Sequence, residues 1–175
     1  MNGVPPSILS GRPRRALLAT ALAALVSLVA AAPGATAAQF RPAPWATINA
    51  CDPPQAPGSV GVRVSVPNRA NAAQWMRIRI QFFDGTRGAW SLVRRGGDAG
   101  FVRLSDGGGR VFGGTTFTFS PPTAGNQVKL RGIVTVEWRR GRRVVSKAQI
   151  LTHANHRSTV DPLFAVSQAT CVIAR

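Results

Sequence analysis

His153, His156 and Asp161 are the one grouping in this chain whose residue types and spacing could do chemistry. A His-x-x-His followed by Asp offers three ligands to a metal ion. A His backed by Asp can also activate a hydroxyl such as that of Ser158. The plainer alternative is a polar loop at a strand end, because the spacing gathers these side chains on no helix face. Other acid–base groups are scarce beyond residue 37: one Glu, five Asp and no Tyr. Glu137 stands among arginines, the setting for a cross-strand ion pair. Asp52, Asp84, Asp98 and Asp106 each adjoin Pro or Gly, where Asp orders turns. No spacing suggests the carboxylate pair that glycoside hydrolysis needs. The glycines at 107–109 and 113–114 lack the lysine of a phosphate cradle, and no nucleophile elbow or Rossmann pattern occurs. No catalytic residue, metal or cofactor is therefore expected. A small secreted hydrolase or metal-binding protein using His153, His156 and Asp161 stands as the alternative.

Arginine is the stronger lead. Arg139, Arg140, Arg142 and Arg143 surround a hairpin tip next to Trp138, and Arg94 and Arg95 make a second cluster. Arg77 and Arg79 share one face of a strand and would present a stripe. Guanidinium forks grip phosphate, sulfate and carboxylate with two hydrogen bonds. Trp75 or Trp90 would add a stacking surface, unless these rings are spent on the core. The chain carries a formal charge of +16, of which Arg12, Arg14 and Arg15 near the N-terminus supply three, leaving +13 beyond residue 37. Such a surface attracts polyanions, and the expected partner is an anionic cell-envelope polymer or polysaccharide, without base-specific recognition of nucleic acid. A second reading stands beside this one. The bias toward Ala, Arg, Gly, Pro and Val is that of a high-GC bacterial genome, where arginine accumulates without selection for binding.

The elements that must position these groups are strands. Val60, Val62, Val64 and Val66 alternate with Gly61, Arg63 and Ser65; Met76, Ile78, Ile80 and Phe82 alternate with Arg77, Arg79 and Gln81. Period two marks strands with one apolar face. Short strands follow over 89–93, 101–104 and 115–119. A long one places Val128, Leu130, Val134, Val136 and Trp138 on one face and Lys129, Arg131, Thr135 and Glu137 on the other. It turns at 139–143 and returns over 144–152. First and last strands are expected over 48–51 and 166–173. Gly132, in mid-strand, marks a bulge or a close approach. Seven or eight strands with turn signals between them predict an all-β sandwich, with a closed barrel as alternative.

The N-terminus reads as an export signal. Three arginines precede an uncharged apolar run over 16–32, Pro33-Gly34 breaks it, and Ala35-Thr36-Ala37 supplies a small-x-small site. Seventeen Ala-rich residues are short for a membrane span of about 20. Cleavage after Ala37 is expected, with Ala38 the close second choice, by either the general secretory or the twin-arginine route. The domains are then a signal peptide over 1–37, a Pro-rich leader over 38–44 and one sandwich over 45–175. The product is secreted or held at the cell envelope, with no stable membrane insertion. In an exported chain Cys51 and Cys171 should pair. The chain-entropy model assigns about 4–5 kcal/mol to closing so long a loop.

The segment QVKLRGIVTVEWRRGRRVVSKAQILT, residues 127–152, resembles the penultimate hairpin of immunoglobulin-like and fibronectin type III-like domains. With INACDPP before it and SQATC after it, the layout is similar to small secreted immunoglobulin-like proteins of high-GC bacteria. The resemblance spans Cys51 to Cys171 and implies an immunoglobulin-like sandwich. It brings no activity with it. No Cys stands on the second or sixth strand, so a clip between the ends of the chain is expected in place of an inter-sheet bond. Intact-mass measurement of the exported protein should show a chain beginning at Ala38; a product that keeps residues 1–37 would contradict the reading of a removable signal.

Overall fold

Strand formation follows the alternation of apolar residues. The computed structural model describes residues 43–104, 109–158 and 166–175. The expected signal peptide, most of the expected leader, and the turns expected at Asp106 and Asp161 lie outside these residues. Nine strands run in chain order: β1 (Trp45–Cys51), β2 (Ser59–Pro67), β3 (Ala73–Asp84), β4 (Ala89–Leu92), β5 (Asp98–Arg103), β6 (Arg110–Thr118), β7 (Gln127–Arg140), β8 (Arg143–Leu151) and β9 (Cys171–Ala174). They build two sheets. One is β1-β2-β6; the other has β3 and β7 at its centre, with β4 and β5 sharing one edge of β3 and β8 and β9 sharing one edge of β7. Every strand pair within the sheets is antiparallel. The all-β, two-sheet expectation is met. Among the described residues nine strands stand where seven or eight were expected, because two central strands each carry two partners in series.

The apolar faces meet between the sheets. Val60, Val62, Val64 and Val66 from β2 pack with Met76, Ile78 and Ile80 from β3 and Leu130, Val134, Val136 and Trp138 from β7. Trp138 is 1% exposed, and its indole N–H donates to the Pro67 carbonyl at 3.1 Å, which satisfies its one polar atom.

β2 departs from the expected pattern, because both of its faces are buried. Arg63 and Ser65 point away from the core but lie under side chains and under the chain that follows β8. The Arg110 Nε donates to the Ser65 hydroxyl at 2.8 Å, and a guanidinium nitrogen of Arg63 donates to the His156 carbonyl.

The free edge of β1 is stitched to the other end of the chain. His153 donates its backbone N–H to Ala46 at 2.8 Å, and Ile48 exchanges two backbone bonds with Gln168. Close by, Cys51 and Cys171 form a disulfide, with Cα atoms 5.3 Å apart. Cys51 ends β1 of the smaller sheet and Cys171 begins β9 of the larger. This corrects one expectation: the bond does clip the chain's ends, and it also joins the two sheets.

Gly132 marks close packing. A Cβ there would lie 2.8 Å from the Thr152 methyl and 3.3 Å from a Val62 methyl. Thr152, already bonded from the Gly132 N–H at 3.1 Å and donating to the Ala169 carbonyl at 2.6 Å, has little room to move. Gly132→Ala should therefore destabilise the fold by about 1–3 kcal/mol, read as a lower urea midpoint at unchanged slope; a midpoint equal to the parent's would show that the site relaxes freely.

Candidate functional site

The pairing of β3 with β7 puts Trp75, Arg77, Arg79, Gln81 and Phe83 on the outer face of the larger sheet, beside Lys129, Arg131, Ile133, Thr135, Glu137 and Arg139. β5 extends this face with Phe101 and Arg103 opposite Arg77 and Trp75, and β4 extends it with Trp90 opposite Phe83. The result is a layer of guanidinium groups stacked on aromatic rings. Arg139 lies 4.6 Å from the Trp75 ring centre and 4.7 Å from that of Phe101. Arg131 lies 4.2 Å over Trp90, whose ring meets Phe83 edge-on at 5.4 Å. Arginine suits this role because its flat, weakly hydrated cation stacks on a ring while its N–H edge stays available.

Two carboxylates brace the layer. Asp98 accepts from the Arg77 Nε at 2.9 and 3.1 Å and from the Gly100 N–H at 2.9 Å. Glu137 accepts from Arg139 at 2.6 Å and faces Lys147 at 3.7 Å. Glu137 does pair with an arginine, Arg139 two residues along its own strand, while its cross-strand neighbour is Lys147 on β8.

The predicted arginines divide. Arg140, Arg142 and Arg143 are exposed at the β7–β8 turn, where Gly141 takes a φ of 56°. Arg139 is no tip residue; it is half-buried on the sheet and fixed by Glu137, Trp75 and Phe101. Arg94 and Arg95 are exposed where the chain leaves β3 between β4 and β5, opposite Ile80. Since Arg139 pairs with Ala73, the two clusters stand about 23 Å apart along β3 at about 3.3 Å per residue. They do not merge, and the stacked layer lies between them. Arg131, Phe101 and Phe83 were missed as site residues. The alternation of β7 and β3 does signal the faces of Arg131 and Phe83, but nothing in sequence gives the register that brings Phe101 beside Arg77.

The histidine grouping is drawn into the fold. His156 stacks flat on Trp45, with centroids 4.1 Å apart and planes 3° from parallel. Its backbone N–H donates to the Ser167 hydroxyl at 2.7 Å, and that hydroxyl lies 2.8 Å from the Thr47 hydroxyl. Burial, then the nearby His153, Arg63 and Arg110, holds the His156 imidazole below its usual range. These contacts pin the chain after β8 onto the outer face of β1 and β2. His153 is exposed, and Asp161 lies outside the described residues. Among the described residues no three His, Cys, Asp or Glu groups stand together as a metal site, and no helix is long and apolar enough to cross a membrane. Compared with known protein families and with curated proteins, the chain matches none.

Two aspartates tie this geometry to pH. The guanidinium of Arg175 and then the Gly58 N–H lower Asp52 from 3.8 to about 2. Arg77 does the same for Asp98, with a smaller contribution from the Gly100 N–H. A carboxylate held lower in the folded state stabilises the fold above its unfolded value, and that stability is lost as pH falls through the folded value. Stability should therefore drop between pH 3.8 and about 2, and Asp98→Asn should flatten part of the fall in an acid titration followed by near-ultraviolet circular dichroism. An unchanged profile would mean that the Arg77–Asp98 pair adds nothing in solution.

Proposed function

We propose that this chain is an exported, non-catalytic binding module of immunoglobulin-like type, which attaches to anionic polymers of the cell envelope or to acidic polysaccharide. One observation carries the reading: the outer face of the larger sheet sets guanidinium groups on aromatic rings, with Arg139 on Trp75 and Phe101 and Arg131 on Trp90. Contact with the rings restricts each guanidinium before a ligand arrives, so less side-chain entropy is lost when its N–H edge meets an oxyanion. The exposed arginines 94, 95, 140, 142 and 143 surround this layer with further positive charge. They act at longer range by raising the local concentration of polyanion. Compositional drift toward arginine explains the number of these residues. It does not explain why the cations of β7 and the aromatic rings of β3, β4 and β5 fall on one face.

Export is supported by the disulfide and by the arrangement of the N-terminal residues. A non-catalytic role is supported by the fates of the candidate acids. Asp52, Asp98 and Glu137 are each committed to an arginine, and His156 is committed to Trp45.

The protein should be retained on immobilised heparin at roughly 0.15 M salt and released as ionic strength rises, since screening shortens the reach of exposed charge. Combined substitution of Arg140, Arg142 and Arg143 by Ser should move elution to lower salt. Trp90→Ala should weaken binding by about three- to tenfold, the scale of one cation–π contact. Elution at trivial salt, the same for parent and variants, would refute the polymer-binding role.

A further inference from the structure

We infer that Arg79 and Arg131 together form the seat of a tetrahedral oxyanion, a phosphate or sulfate group, on the outer face of the larger sheet. The inference rests on the polymer-binding reading for the source of that group. It follows from strand register. Arg79 pairs with Ile133 and Gln81 pairs with Arg131, so the two arginines are diagonal neighbours on one face, with Cα atoms about 7–8 Å apart. Like charges this close repel, and elsewhere on the face a carboxylate offsets the repulsion. Here the nearby acids hydrogen-bond elsewhere, although Asp98 still feels the charge of Arg79 at longer range. Asp98 sits opposite Arg79 on β5, but both of its oxygens bind Arg77. Glu137 serves Arg139 and Lys147. Among the described residues neither Arg79 nor Arg131 has a carboxylate within ion-pair distance.

Each guanidinium is prepared in a different way. The Arg79 Nε is buried and meets no hydrogen-bond acceptor, so that edge is closed to a ligand from solvent and the seat must use the other N–H groups of Arg79. Arg131 donates its Nε to the Gln81 side-chain oxygen at 2.8 Å, and its guanidinium lies 4.2 Å over the Trp90 ring centre. These contacts restrain it and leave its outer N–H groups for a ligand. Burial also disfavours the charged form of Arg131, which a bound anion would relieve. Two forks carried on neighbouring strands suit a group whose oxygens point in several directions. A planar carboxylate would be served by a single fork. Arg94, Arg95, Arg142 and Arg143 have no such setting; they are exposed cations in or beside turns.

The test uses the whole mature protein. Sodium sulfate is titrated against sodium chloride of equal ionic strength while the arginine Nε–H resonances are followed. The Arg79 and Arg131 signals should move saturably with sulfate alone, while those of Arg142 and Arg143 follow ionic strength in both salts. Arg79→Gln and Arg131→Gln should each weaken heparin binding by about tenfold or more, the scale of charge-assisted hydrogen bonds. Arg131→Lys, which keeps the charge and loses the fork, should abolish the sulfate-specific shift, with circular dichroism confirming the fold of every variant. Parallel binding to heparin and to polyphosphate tells whether sulfate or phosphate is the better source. Polygalacturonate bound as tightly, and as dependent on Arg79, would overturn the tetrahedral assignment. Heparin binding that survives both glutamine variants would remove the seat and leave the polymer-binding role standing. If the parent protein binds no polymer, that role fails, and the sulfate titration alone decides the seat: signals that move only with ionic strength would end it.

Discussion

The register between β3 and β7 is the constraint on which the molecule depends. Ten consecutive residues of β3, from Ala73 to Phe82, pair with β7 from Arg139 back to Leu130. That alignment turns Ile78, Ile80, Val134 and Val136 inward and leaves them fully buried. It turns Arg77, Arg79, Arg131 and Arg139 outward. A slip of one residue would exchange the two sets, placing guanidinium groups in the core. Apolar burial at roughly 25 cal/mol per Å2 therefore selects the same alignment that assembles the cationic layer. Core and candidate site are two sides of one pairing.

A chain this basic must also manage its own repulsion. It does so locally. Arg77 and Arg139 have acids beside them, and Arg69 spreads its charge over the Trp138 ring at 3.9 Å. Arg175 binds both oxygens of Asp52 at 2.7 and 2.8 Å, tying the last residue to the turn that follows β1. The few acids are therefore spent on holding structure, and their scarcity is why stacking on aromatic rings carries so much of the arginine surface.

Much of the fold was legible in sequence. The valines of β2 and the alternating Met-Ile-Ile-Phe of β3 gave their faces directly, Gly132 marked a tight spot, and the two cysteines pair. The turn role of Asp84 also holds, with two backbone N–H groups bonded to its carboxylate, whereas Asp98 begins β5 and accepts from one, that of Gly100. What could not be read was long-range geometry. Alternation places Arg63 on the polar side of β2 but does not say that chain from beyond β8 will cover that side. It places Arg139 beside a turn but does not say that Trp75 and Phe101, from β3 and β5, will hold it on the sheet. The candidate site was legible as residue types and illegible as a surface, because its members come from separate strands whose register depends on the packed whole.

The disulfide between the first and last strands has a topological effect. It closes residues 51–171 into a covalent ring that contains nearly all of both sheets. Cutting one loop of a linear protein yields two pieces held only by packing. Here a single cut between those cysteines opens the ring and sets nothing free, so a protease must strike twice before any part can diffuse away.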